Sequence, residues 1–404
     1  MAVEANTAFY GIAATSGGGV VAVGSLTIEG HPGAAVAFYD ADLDLNLIWK
    51  HVYEVPGVDP LHDVAVAPDG TIIAVGSTEF ALGSATDYST GFSIGDAVIV
   101  AMSPTDGTIK WAKTYGGSQI DTFDAVAIAA DGTIFVAGNT ASTDGDFPST
   151  RRQGDIDAVI AAIDPADGTL KWAKTYGGED ADYFYGMTIA ADGTIVVVGS
   201  TYSSFGDFPR TGYYPYGSRA VVAAVNPADG TLMWAKVFQG DKDDEFKAAA
   251  VAADGTIVAA GWATSTQGDF GASHGATDAV VAAVNPADGA IKWAKTYGGT
   301  RDDYFTGVAI TADDTIVAVG TTSSKSGTFG PTRGLEDSVV AGINLANGSL
   351  RWTTTCGGSN EEEFKTVTIV DGTIVAAGYT KSWDGDFPTT PGLVGGVVVT
   401  VAVR

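Results

Sequence analysis

Hydrophobic and polar positions alternate with period two in short runs along the whole chain, and each run stops at a turn signal. The stretch from Phe123 shows the unit. "FDAVAIAA" reads as a strand, "DG" as a tight turn and "TIFVAGNT" as a second strand. After the loop "ASTDGDFPSTRRQGDI", "DAVIAAIDP" reads as a third strand, "ADG" as a turn and "TLKWAKTYGG" as a fourth. Asp-Gly between β-branched runs is the strongest short-range hairpin signal. First strands by the same pattern begin near Phe9, Leu61, Phe123, Phe184, Phe246, Phe305 and Phe364. Trp49, Trp111, Trp172, Trp234, Trp293 and Trp352 follow at spacings of 62, 61, 62, 59 and 59 residues.

A period near sixty suits a four-stranded blade. The expected fold is all-β: a seven-bladed β-propeller of four-stranded antiparallel blades, one domain over residues 1–404, with units starting near 8, 60, 122, 183, 245, 304 and 363. First strands such as "AVAIAA" and "GMTIAA" carry the least side-chain volume and belong at the axis. The Trp strand belongs on the rim, where neighbouring blades splay and a large ring fills the gap. Aligned on Phe9, the N-terminus does not supply the seventh unit's fourth strand. The last blade is therefore expected to lack its outermost strand and to leave Val397, Val398, Val399, Thr400, Val401, Ala402 and Val403 as a bare, uncharged edge.

These residues carry a family resemblance. The stretch from "DAVIAAIDPADGTLKWAKTYGG" through "TYSSFGDFP" resembles the SBBP-type β-propeller repeat of bacterial and archaeal surface proteins, over essentially the whole chain. Two departures are visible: Asp-Phe-Pro is missing from the first, second, fifth and sixth units, and the last unit is incomplete. The resemblance implies an extracellular or cell-surface location, a binding or scaffold role and no shared catalytic residues. "AAIDPADGTLKW" also resembles the tryptophan-docking motif of quinoprotein dehydrogenase propellers, with Ala162, Asp164, Gly168 and Trp172 in register.

Composition narrows the function. A formal charge of −27 excludes nucleic acid as a partner, because phosphate binding needs clustered Lys and Arg. No run is long and apolar enough for a membrane span, and "MAVEANTAFYG" already reads as a repeat, so any leader is expected to be absent or removed. The single Cys356 stands where sister repeats carry Tyr115, Tyr176 and Tyr297 and reads as a packing residue.

Candidate chemistry is sparse. Asp59, Asp121, Asp182, Asp244, Asp303 and Glu362, with Thr7 in the first unit, recur two residues before each inner aromatic (or Leu61). They form either a ring of carboxylates at the channel mouth or a set of loop-internal acceptors; their repetition favours the second. Asp144 with Asp146, and Asp384 with Asp386, are weak candidates for calcium, without a full ligand series. No other cofactor is expected. His31, His51, His62 and His274 lack metal-ligand spacing, "GASHG" lacks the strand–turn–helix context of a nucleophile elbow, and "NGS" at Asn347 is a lone sequon. The fourth unit's loop gathers Tyr202, Arg210, Tyr213, Tyr214, Tyr216 and Arg219, near Arg151 and Arg152 of the preceding loop. Aromatics mixed with Arg are what protein- and sugar-binding hot spots use.

Three functions of different class follow as expectations. The leading one is a non-enzymatic surface scaffold that self-assembles, as a filament or surface layer, through its open edge. The alternative is an adhesion propeller binding a glycan or a surface protein through the Tyr/Arg loop. The third is a quinoprotein-like enzyme.

Overall fold

The computed structural model describes all residues except 29–30, 41–44, 54–57, 79–94, 148–155, 209–216, 272, 388–392 and 402–404. Arg151, Arg152, Arg210, Tyr213, Tyr214, Tyr216, Ala402 and Val403 lie outside the described residues. Seven four-stranded antiparallel sheets follow one another along the chain. In blade three the order from the axis outwards is Asp121–Ile128, Ile134–Thr140, Asp157–Ile163 and Leu170–Tyr176, so the Trp strand is outermost as its bulk requires. No helix long and apolar enough to cross a membrane is present among the described residues.

The core lies between blades rather than within them. One apolar cluster joins Ile73, Val75 and Ile99 of blade two to Phe123, Ile134 and Val136 of blade three, and comparable clusters join the other neighbours. Every inner-strand Phe from blade three to blade seven meets a second buried Phe from its blade's own long loop. Phe123 and Phe147 cross edge to face at 5.7 Å, and Phe364 and Phe387 do so at 5.9 Å. Blades five and six keep this ring as Phe270 and Phe329 although they have lost the full Asp-Phe-Pro triplet. The pattern is therefore a packing requirement for Phe.

Five of the six rim Trp dock onto the turn of the following blade. The Trp172 indole N–H donates to the Pro227 carbonyl at 3.2 Å, and the Tyr176 hydroxyl donates to the Gly230 carbonyl at 2.6 Å. Gly230 has φ +70°, and a Cβ there would stand 2.7 Å from Trp172 Cζ3. Only glycine meets both demands. Trp49, Trp111, Trp234 and Trp293 make the same indole contact with the next blade. Replacing Trp172 by Ala removes a half-buried ring and one hydrogen bond, and should lower unfolding free energy by about 3–5 kcal/mol. Denaturant melts check this; a loss below about 1 kcal/mol would mean that the ring holds nothing together.

Blade seven corrects the expectation of a missing strand. Residues Ala2–Ala5 form its outermost strand, antiparallel to Gly395–Val401, with Ala2 opposite Val398 and Val3 opposite Val397. Alignment on Phe9 hid this strand because the usual Gly-Gly loop is absent here. A single left-handed residue, Asn6 at φ 55°, passes the chain directly from the rim of blade seven into the inner strand Thr7–Ala14 of blade one. Val397, Val398 and Val399 are buried, and Val3 packs beside them. Val399, Thr400 and Val401 pair with the second strand but extend past Ala2. The ring is thus closed by the chain's own two ends.

Candidate functional site

All seven inner strands carry the same local irregularity. The register with the second strand slips by one residue between Phe9 and Gly11, Leu61 and Asp63, Phe123 and Ala125, Phe184 and Gly186, Phe246 and Ala248, Phe305 and Gly307, and Phe364 and Thr366. A bulge leaves one residue unpaired and re-aims its side chain. After the bulge the strands crowd at the axis: a Cβ on Gly186 would stand 2.7 Å from the Lys247 carbonyl, and one on Gly307 2.9 Å from Thr366 Cα. Small residues there let the strands converge, and the bulged residues project where they have not yet closed.

Those residues are Tyr10, His62, Asp124, Tyr185, Lys247, Thr306 and Lys365, one from each blade, and all line a single cavity of about 430 Å³. Trp262, Tyr304, Thr321, Glu336 and Glu363 complete its wall. The cavity lies at the end of the channel where the inner strands begin, on the face that carries the loops between second and third strands.

Most charges in the cavity are already paired. Lys247 Nζ lies 2.6 Å from a Glu245 carboxylate oxygen and 3.6 Å above the Tyr185 ring. Lys365 Nζ lies 2.7 Å from Glu363, whose other oxygen accepts from the Tyr379 hydroxyl at 3.2 Å. Asp124 accepts from the Asn139 amide at 2.7 Å and faces His62 Nδ1 at 3.2 Å. Tyr185 stacks on Tyr183 at 5.7 Å, and burial followed by the Glu245 charge drives its hydroxyl pKa well above the ordinary range. Glu336 is half-buried and is raised above the usual carboxylate range by burial first, then by Glu361, Glu363 and Asp302.

The candidates drawn from sequence are placed differently. Asp121 and Asp182 are internal acceptors: Asp121 takes the Ser142 hydroxyl at 2.8 Å and the Gly117 N–H at 2.9 Å, and Asp182 the Ser203 hydroxyl and Gly178 N–H, both at 2.7 Å. Asp244, Asp303 and Glu362 act similarly. They brace the loops and do not line the cavity. Asp144 and Asp146 accept the N–H groups of Ser118 and Gly116, and Asp384 and Asp386 those of Ser359 and Gly357. Each pair clamps the loop entering its own blade's inner strand, and no cluster of three or more metal-ligating residues occurs among the described residues.

Arg219 is a correction to the Tyr/Arg loop. It is buried, with its guanidinium donating to the Ser218 and Lys242 carbonyls at 2.8 and 2.6 Å. It occupies the start of a third strand, where sister blades place Asp96, Asp157, Asp278 and Asp337, and its charge serves Asp244 rather than a partner. Tyr202 lies near Tyr183, which stacks on Tyr185 of the cavity wall. Sequence reading missed the bulged residues themselves. Their signal is that the residue after each inner aromatic (or Leu61) changes in nearly every unit, while the frame around it barely changes.

The same face carries exposed apolar side chains. Ile120, Phe205, Leu335 and Trp383, all on its loops, are half exposed or more.

A family model described as the outer membrane protein assembly factor BamB matches residues 34–261 and again residues 156–384. No curated protein matches the chain. Among solved structures, BamB from Moraxella catarrhalis is 15% identical with a TM-score of 0.45, over 96% of this chain and 84% of that one. Quinohemoprotein alcohol dehydrogenase from Comamonas testosteroni is 12% identical with a TM-score of 0.48, over 100% and 76%. Sqt1 from Chaetomium thermophilum, bound to the N-terminus of the ribosomal protein L10, is 12% identical with a TM-score of 0.49, over 98% and 97%.

The family match and the strand Ala2–Ala5 on the seventh blade together overturn the self-assembling scaffold. The first part of the edge on which that reading depended, Val397 and Val398, is already paired. The repeat resemblance stands at the level of a β-propeller repeat family, not of the surface-protein repeat in particular.

Proposed function

Because the chain belongs to the family of the outer membrane protein assembly factor BamB, we propose that it is a non-catalytic binding propeller that docks a segment of another protein at the cavity face. One observation carries the reading: seven bulges aim side chains of five different types into one opening, within a frame that is otherwise repeated. Repetition serves the fold, whereas a ring of dissimilar side chains at one point serves recognition. The rim supports it. Ile120, Phe205, Leu335 and Trp383 offer apolar anchors around a cavity whose own wall is aromatic and charged.

Display of a random peptide library against the purified propeller tests this. Wild-type protein should enrich a related set of peptides with micromolar affinity, and the double variant Trp262→Ala/Tyr304→Ala should lose them by about tenfold or more while melting normally. Failure to enrich any set, or equal enrichment on the double variant, would overturn the reading.

A further inference from the structure

Two blades of the cavity, five and seven, share one arrangement, and in the blade between them a part of it is missing. In blade five the bulged Lys247 places its ammonium against a carboxylate of its own strand, Glu245, and over the ring of Tyr185. In blade seven the bulged Lys365 does the same with Glu363, and its ammonium lies 5.8 Å from the centre of the Tyr379 ring. Each time a cation from the bulge position is held by one carboxylate and one aromatic face.

Blade six stands between them, and its sector has aromatic and acidic parts, with Trp262 contributed by blade five, but no cation. Trp262 and Tyr304 form a corner, their rings 6.1 Å apart at 75°. Glu336 lines the cavity with them, and its carboxylate makes no hydrogen bond or ion pair with any described residue. The bulged residue here is Thr306, which is too short to fill the space. Its hydroxyl turns away and donates to the Phe364 carbonyl at 2.6 Å. The surrounding charge is predominantly negative, with Asp302, Glu361 and Glu363 near Glu336 and Lys381 opposing them. A carboxylate kept half-buried beside like charges is stabilised by an incoming cation more than an exposed one would be.

We propose that the sector formed by Trp262, Tyr304, Glu336 and Thr306 receives the ammonium of a lysine side chain from the docked partner. The lysine supplies the cation that Thr306 does not. Its four-carbon stem lies along the indole of Trp262, and its head meets Glu336 beside the ring of Tyr304. This deepens the docking reading and rests on it, since the lysine belongs to a protein segment seated at the same opening.

The test uses Nα-acetyl-lysine-N-methylamide as probe, titrated by calorimetry into the full chain. Saturable binding is expected, with none for the Nε-acetylated form, which keeps the shape and loses the charge. Glu336→Gln should weaken the probe by about tenfold, and Thr306→Lys should do at least as much, because the new ammonium occupies the sector itself. Both variants should melt like wild type. Equal binding of the acetylated probe, no binding at all, or affinity unchanged in both variants would overturn the proposal. Cadaverine bound where lysine-bearing peptides are not would also overturn it, since the ligand would then be a free amine. Display-selected peptides separate the two levels. Peptides that bind with an affinity indifferent to Thr306→Lys leave docking intact and remove the lysine, whereas the absence of any binding peptide removes docking itself.

Discussion

Removing residues 1–5 should cost about 3–6 kcal/mol of stability and leave a folded but sticky ring. Four paired positions between Ala2–Ala5 and Gly395–Val398 disappear, each hydrogen bond contributing about 0.5–1.5 kcal/mol net. Val3 leaves the cluster it shares with Val397 and Val399, and Lys50 loses the Glu4 carboxylate at 2.9 Å. The uncovered strand Gly395–Val401 is uncharged and β-branched, the kind of edge that recruits other strands. Three measurements check the expectation. Denaturant melts should shift by that amount, and hydrogen exchange should rise most in Gly395–Val401, not uniformly. Light scattering should show association absent from the intact chain. A shortened chain that melts and exchanges like wild type would show that the N-terminal strand closes nothing.

The protein should be more stable at pH 5 than at pH 7.5. Burial is the first cause that raises Asp63, Asp182 and Asp244 to about 6, and it raises Asp121, Asp303 and Glu362 as well. A carboxyl whose folded pKa lies above its unfolded value favours the folded state when protonated. The stability it contributes is fully present below about pH 4 and is lost as pH rises through about 6. A displacement of about two pH units in one buried group is worth up to roughly 3 kcal/mol, so the set should weaken the fold by several kcal/mol between pH 5 and 7.5. Relief of self-repulsion in a chain of formal charge −27 acts in the same direction. Turn carboxylates such as Asp69, Asp131 and Asp192 have lowered values through the N–H groups they accept, so their contribution is lost below about pH 4. The optimum is therefore expected between about 4 and 5.5. Chemical denaturation across pH 4 to 8 gives the curve, and Asp182→Asn should flatten its upper limb. Stability that rises from pH 5 to 7.5 would contradict the burial argument.

The blades were legible in sequence because each uses signals that act locally: period-two alternation, Asp-Gly turns, and a Trp too large for the axis. Two features were not. The closing strand Ala2–Ala5 is short, and its link to blade one at Asn6 carries no Gly-Gly, so an alignment anchored on Phe9 assigns its residues to a loop. The bulges are hidden for a different reason. Alternation read straight through Phe123, Asp124 and Ala125 places Asp124 opposite the core as an ordinary surface residue, and only the pairing register shows that it is an extra one aimed at the axis. Arg219 looked exposed because charge in a variable loop usually is. Its burial follows from its register position, the first residue of a third strand, where its neighbours place carboxylates.

The docking of the rim Trp has a consequence for the interchangeability of blades. Trp172 reads only a carbonyl and a glycine on the following turn, and Trp111 and Trp234 read the same features on theirs. None of these rim Trp contacts carries a mark that names its neighbour. The identity of each blade rests instead in the single residue its bulge presents. Transposing the central blades should therefore preserve the architecture while rewriting the order of side chains around the opening, so that the ring behaves as a set of exchangeable letters in a frame that does not depend on how they are spelled.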